Sequence, residues 1–135
     1  MPPAVANKDG QEAGTLSDLL DNAVRAYVCN APAAAIAMCR AVLEMVIKEH
    51  YVSDPLDRTK TDKSGKKREK GLGELVVLAE KRFECVRALK LSALKDAGDE
   101  ILHRYHRRER LSASDEKAII DYMHTLKTLI QRVQG

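Results

Sequence analysis

A chain of 135 residues is long enough to bury the core of one domain without disulfides or a structural metal. Its hydrophobic share of 44% and charged share of 32% are ordinary for a globular protein, and with 4% aromatic residues and no tryptophan the interior must be built from Leu, Ile, Val, Ala and Met, which suits helices better than sheets. A net charge of +3 excludes a strongly basic chain overall, and no apolar run approaches the roughly 20 residues needed to span a bilayer.

Residues 1–14, rich in Pro, Ala and Gly, read as a disordered leader that lacks the basic start and apolar run of a signal peptide. Residues 15–135 are then the expected domain. Thr15 or Ser17 caps a first helix with Leu16, Leu19, Leu20, Ala23 and Tyr27 on one face, and Asn30 ends it. Pro32 opens a second helix, to about His50, whose core face is Ile36, Cys39, Leu43, Val46 and Ile47; its apolar character makes it the expected centre of the fold. Residues 53–70 have no apolar period, include Pro55 and Gly65, and carry seven Lys or Arg against four acids, so a long mobile basic loop is expected between helices 2 and 3. A third helix covers Leu72 to Arg82, with Leu72, Leu75, Val76 and Ala79 inward. A fourth covers about Cys85 to His103, with Val86, Leu89, Ala93, Ala97 and Ile101 as its stripe. Ser112 to Asp115 has the spacing of a capping box before a last helix lined by Ile119, Met123, Leu126, Ile130 and Val133. The sum is an all-α bundle of about five helices, with no strand pattern.

Cys29, Cys39 and Cys85 are odd in number, widely spaced and in apolar helical contexts, so they read as small buried hydrophobes in a reducing compartment, and a cytoplasmic location is expected. None has an evident base beside it for nucleophilic chemistry. Gly71-Leu72-Gly73 lacks the lysine and the strand of a phosphate-binding loop, so no cofactor is expected.

Chemistry, if present, is concentrated between Lys95 and Arg110. His103 and His106 stand three apart on a predicted helix, yet no third metal ligand is signalled, and no metal site is expected. A histidine and arginine at a helix C-terminus also complement the backbone dipole without any chemistry. Arg40 and Glu44, one turn apart on the most apolar helix, are either a surface ion pair or a partly buried pair that orients Lys95 or His103. Two basic clusters, Lys63 to Lys70 and Arg104 to Arg110, would attract phosphates if the fold brought them together; Tyr105 is the only aromatic nearby.

Two segments resemble a known family. Ala33-Ala34-Ala35-Ile36-Ala37-Met38-Cys39-Arg40-Ala41-Val42-Leu43-Glu44 is similar to the Ala-rich helix ending in Arg-x-x-Leu-Glu of the prokaryotic domain of unknown function 4145 family, and Lys95-Asp96-Ala97-Gly98-Asp99-Glu100-Ile101-Leu102-His103 stands where that family typically shows Arg-x-x-Gly-Asn-x-x-x-His. The resemblance covers about residues 16–133. It implies a helical bundle related to the higher eukaryote and prokaryote nucleotide-binding (HEPN) domains, which accompany restriction and other defence proteins, often as accessory domains. Some members of that wider group are metal-independent ribonucleases with an Arg-x(4–6)-His motif completed across a dimer. Here no arginine precedes any of the four histidines at that spacing, Lys95 stands for the family arginine, and Asp99 stands for the asparagine.

Eight residues of helix also separate Lys95 and His103 by about 12 Å along the axis. The leading expectation is therefore a noncatalytic interaction or dimerisation module, with a homodimer or partner protein as its binding partner. Gly98 would allow close helix approach, and His103 would bond Glu44 or a backbone carbonyl. Two alternatives stay open. One is a metal-independent ribonuclease with catalytic His103 and Lys95 and phosphate contacts from Arg104 or Arg107. The other is a basic RNA- or DNA-binding module using Arg104, Arg107 and Arg108, with Arg40, Glu44, Asp99 and His106 as further binding candidates.

Overall fold

The computed structural model describes residues 8–134, with side chains described from 16 to 133. These residues form an all-α bundle with one small hairpin. The helices are α1 (Lys8–Val28), α2 (Pro32–Val46), α3 (Leu72–Arg82), α4 (Glu84–Arg87), α5 (Leu91–His106) and α6 (Ala113–Gln134), and the strands are β1 (Thr59–Thr61) and β2 (Lys67–Glu69). α1 begins at Lys8, before the cap expected at Thr15 or Ser17, so the leader reading fails over residues 8–14; residues 1–7 lie outside the described residues.

α1 ends as expected at Asn30, which adopts a left-handed φ of 64°. The Ala31 N–H reaches the Ala26 carbonyl at 2.8 Å and the Asn30 N–H reaches Tyr27 at 3.0 Å, the paired bonds of a Schellman cap. Pro32 then starts α2, where its missing N–H costs nothing. α2 is central: it touches α1, α5 and α6, and Ile36, Cys39, Leu43, Val46 and Ile47 are all buried. Its end is a π turn over Ile47–Tyr51, closed by the Val52 N–H on the Ile47 carbonyl at 2.7 Å. Tyr51 then meets Phe83 edge to face, with ring centroids 5.1 Å apart.

α3 has the predicted bounds and the predicted buried face. The fourth helix differs. It is split at Lys90, whose φ of 55° turns the chain between α4 and α5. Ala88, Leu89 and Lys90 are good helix formers, so local propensity favours continuity. Packing decides otherwise. Val86 and Leu91 are both fully buried, and five residues of straight helix would place them about 140° apart around the axis. The inward face of α5 is consequently Leu91, Gly98 and Ile101, while Ala93 is exposed rather than in the stripe.

The cysteines divide as well. Cys39 is buried, but Cys29 and Cys85 are exposed, because each sits at a helix end and not on a core face. No described helix is long and apolar enough to cross a membrane.

Candidate functional site

Gly98 is the residue that positions the site. A Cβ there would stand 3.0 Å from Tyr122 Cε2 and 3.5 Å from Ile36 Cγ2, so its absence lets α5 approach both α6 and α2. The next residue, Asp99, is thereby set between two cations. Its Oδ2 lies 2.8 Å from the Lys95 ammonium, one turn back on α5, and its Oδ1 lies 3.1 Å from Arg40 Nε on α2. The Arg40 Nε is buried and makes no aligned hydrogen bond among the described residues, so this contact is charge attraction above all. The Lys95 Nζ also lies 3.3 Å from where a Gly73 Cβ would be, over the first turn of α3. A cation is disfavoured beside a helix N-terminus, and Asp99 holds it there. Beneath the triad is the Tyr122 hydroxyl, buried and without a hydrogen-bond partner among the described residues. Burial pushes the Tyr122 phenol well above its ordinary value; Cys39 and Asp99 add to the shift and Arg40 opposes it.

Three sequence candidates, Arg40, Lys95 and Asp99, therefore meet. Glu44 does not join them. It accepts Lys48 at 2.8 Å, so the expected Arg40–Glu44 pair is replaced by Arg40–Asp99 across helices and Glu44–Lys48 along one. α5 is unbroken through Gly98, which keeps Lys95 and His103 about 12 Å apart on one axis. His103 and His106 are exposed, and neither makes a hydrogen bond or ion pair among the described residues. The bond expected from His103 to Glu44 is absent for the same reason: the histidine points to solvent and the glutamate is held by Lys48. Among the described residues no group of three or more His, Cys, Asp or Glu side chains stands close enough to hold a metal ion.

The second basic cluster is largely structural. Arg104 makes a two-pronged pair with Asp115, Nη1 to Oδ2 at 2.8 Å and Nη2 to Oδ1 at 2.6 Å. Asp115, only 8% exposed at its side chain, also accepts the Ser112 N–H at 2.9 Å, while its own N–H donates to Ser112 Oγ at 3.1 Å. This is the predicted capping box, and the Arg104 guanidinium with the Ser112 N–H holds the Asp115 carboxyl far below the usual carboxylate range. Arg107 pairs with Glu109 at 3.0 Å. Arg108 takes the left-handed turn that ends α5, at φ 62°, and is exposed. The Arg104–Asp115 pairing spans a loop, and nothing in the local sequence signals it.

Residues 53–70 are more ordered than expected. β1 and β2 pair antiparallel with Thr59 opposite Glu69, Lys60 opposite Arg68 and Thr61 opposite Lys67. The ladder extends one pair each way, through the Lys70 N–H on Arg58 and the Asp62 N–H on Lys66. Strand propensity is weak here, and turn chemistry supplies the order. Gly65 adopts φ 84°, and the Asp62 carboxylate accepts Ser64 N–H at 2.9 Å, Ser64 Oγ at 2.6 Å and Lys66 N–H at 3.0 Å. The base is tied to α3: Arg82 grips Asp57 at 2.8 and 3.1 Å, and Lys60 reaches both Glu74 oxygens at 2.8 and 2.7 Å. No hydrogen bond or ion pair joins this hairpin to Arg104–Arg110 among the described residues. The hairpin leans on α3, whereas Arg108 and Arg110 line a cleft beside Asn30 and Pro32.

On the far side, α1 and α6 enclose a groove of about 530 Å³. Leu20 and Met123 form its floor, and Val24 and Ile120 rise from it at 39% and 38% exposure. Val28, one turn beyond Val24, is 76% exposed. The groove also carries Asp21 on the α1 wall and Lys127 on the α6 wall. Comparison with known protein families, with curated proteins and with solved structures finds no match to this chain.

Proposed function

We propose that this protein is a noncatalytic helical module that self-associates through the α1–α6 groove, in the manner of the accessory domains that the sequence resembles. The observation that carries the reading is the exposure of Val24 and Ile120 in the α1–α6 groove, with Val28 one turn beyond on α1. Contiguous apolar side chains beside a groove mark interaction surfaces on soluble proteins. A two-fold axis running along the groove would lay α1 of one copy on α6 of the other and set Asp21 of each copy on the side of its mate's Lys127, a self-complementary arrangement.

The remaining polar groups support the same reading. Asp99 occupies Arg40 and Lys95, and Asp115 occupies Arg104, so these cations are engaged within the fold. The two residues proposed for ribonuclease chemistry, Lys95 and His103, are too far apart on one helix to grip one phosphodiester within a single copy.

Ile120→Arg tests the groove directly, because the site is open enough to accept arginine in the free chain. Light scattering on the wild type at micromolar concentration should give twice the 15.0 kDa of one chain, and the variant should give a single chain's mass with a similar melting temperature. A variant that remains dimeric overturns the groove as the interface.

A further inference from the structure

We propose that the β1–β2 hairpin is an arm that binds the phosphate backbone of double-stranded nucleic acid. Between Arg58 and Lys70 the chain is R-T-K-T-D-K-S-G-K-K-R-E-K, with seven cations, two acids and no apolar or aromatic side chain. Lys63, Lys66, Lys67 and Arg68 are exposed and make no ion pair among the described residues. Lys60 is the only cation of this stretch held by an acid within 4 Å among those residues, and its partner is Glu74 of α3.

The register sharpens the point. Lys60 lies directly opposite Arg68, and beyond Thr59–Glu69 the next pair on the same face is Arg58 with Lys70. Like charges placed opposite one another destabilise a hairpin. This one is nevertheless fixed at both ends, by the Asp62 turn and by the Arg82–Asp57 and Lys60–Glu74 clamps on α3. An ordered arm with opposed cations lacks only a polyanion to relieve the repulsion. Residues of alternate register repeat about every 6.8 Å along each strand, so the charges form a ladder and not a point.

The composition selects among polyanionic partners. A protein partner would need aromatic or apolar anchors, and the arm has none. A single strand is held by stacking its bases on aromatic rings, which are also missing. Duplex phosphates need only charge and hydrogen-bond donors. With the four exposed, unpaired cations Lys63, Lys66, Lys67 and Arg68 each on a phosphate, binding should weaken with salt along a log–log slope of about −3.6, roughly a hundredfold between 50 and 200 mM.

The test is fluorescence anisotropy with labelled 20-base-pair duplex DNA, duplex RNA and the corresponding single strand, alongside pelleting with phosphatidylserine vesicles. The arm variant carries Lys63→Gln, Lys66→Gln, Lys67→Gln and Arg68→Gln. A control removes the same charge elsewhere, through Arg25→Gln, Arg87→Gln, Lys90→Gln and Lys117→Gln, all exposed. The expected result is duplex binding by wild type with that salt slope, a loss of at least tenfold in the arm variant, and near-wild-type affinity in the control. Failure to bind duplex at 50 mM salt, equal losses in both variants, preference for the single strand, or binding to vesicles alone would each overturn the proposal.

Discussion

Gly98→Ala sets two effects of similar size against each other, and the geometry predicts which wins. Replacing a glycine inside a helix by alanine is worth about 1 kcal/mol in helix propensity. Against it, the new methyl would stand 3.0 Å from Tyr122 Cε2 and 3.3 Å from Cδ2, with Ile36 Cγ2 at 3.5 Å behind. Carbon atoms prefer separations of about 3.5–4.0 Å, so the ring must retreat by about half an ångström. Tyr122 and Ile36 are each 1% exposed, so any retreat is into the packed core and not into solvent. Overpacking of this kind costs about 1–3 kcal/mol. The balance is a loss of about 1 kcal/mol. For 135 residues an unfolding entropy of about 0.28 kcal/mol/K converts that loss into a fall of about 3–4 °C in Tm. Calorimetry on wild type and Gly98→Ala measures it. The same substitution in a Tyr122→Leu background, where the ring is gone, should instead stabilise relative to that background. If Gly98→Ala melts above wild type with Tyr122 intact, the ring yields easily and the close approach of α5 is not what the glycine serves.

Two further predictions concern acid and thiol chemistry. The folded-state value of Asp115 is depressed, so its contribution to stability is complete above the ordinary carboxylate value near pH 4 and is lost as pH falls towards the lowered one. Melting curves between pH 7 and pH 2 should therefore show Asp115→Asn less stable than wild type at neutral pH, with a shallower decline in acid; parallel declines would deny Asp115 that role. Burial pushes the Cys39 thiol up to about 12, whereas Cys29 and Cys85 are exposed. A thiol reagent at pH 8 should titrate two cysteines quickly and the third only on unfolding, and three fast thiols would contradict the core placement of Cys39.

What the sequence discloses is uneven, for reasons that can be named. α2 and α3 were legible because their apolar residues recur at helical spacing and Pro32, Gly71 and Asn30 punctuate them. The split between α4 and α5 was not, because residues 88–90 favour helix and only the burial of both Val86 and Leu91 turns the chain. The hairpin was hidden because its order comes from Asp62, Ser64 and Gly65 in a turn, and its strands have no apolar face. Around the site, one-turn spacing pointed to Arg40 with Glu44. The observed partner, Asp99, comes from α5 and becomes available only because Gly98 draws the helices together. Likewise the Ser112–Asp115 box was readable as a cap, but the Arg104 that completes it lies eleven residues away across a loop. Long-range polar pairing leaves no periodic trace in a chain.

Sedimentation equilibrium of the wild-type chain at micromolar concentration, in 0.1 M and 1 M salt as working conditions, bears most directly on self-association through an apolar groove. Burial of Val24, Val28 and Ile120 is not screened by ions, so the dimer should persist, or tighten, at the higher salt. A single chain's mass at both salt concentrations would contradict the account, and a dimer that dissociates at high salt would transfer the association from the groove to the charged surface.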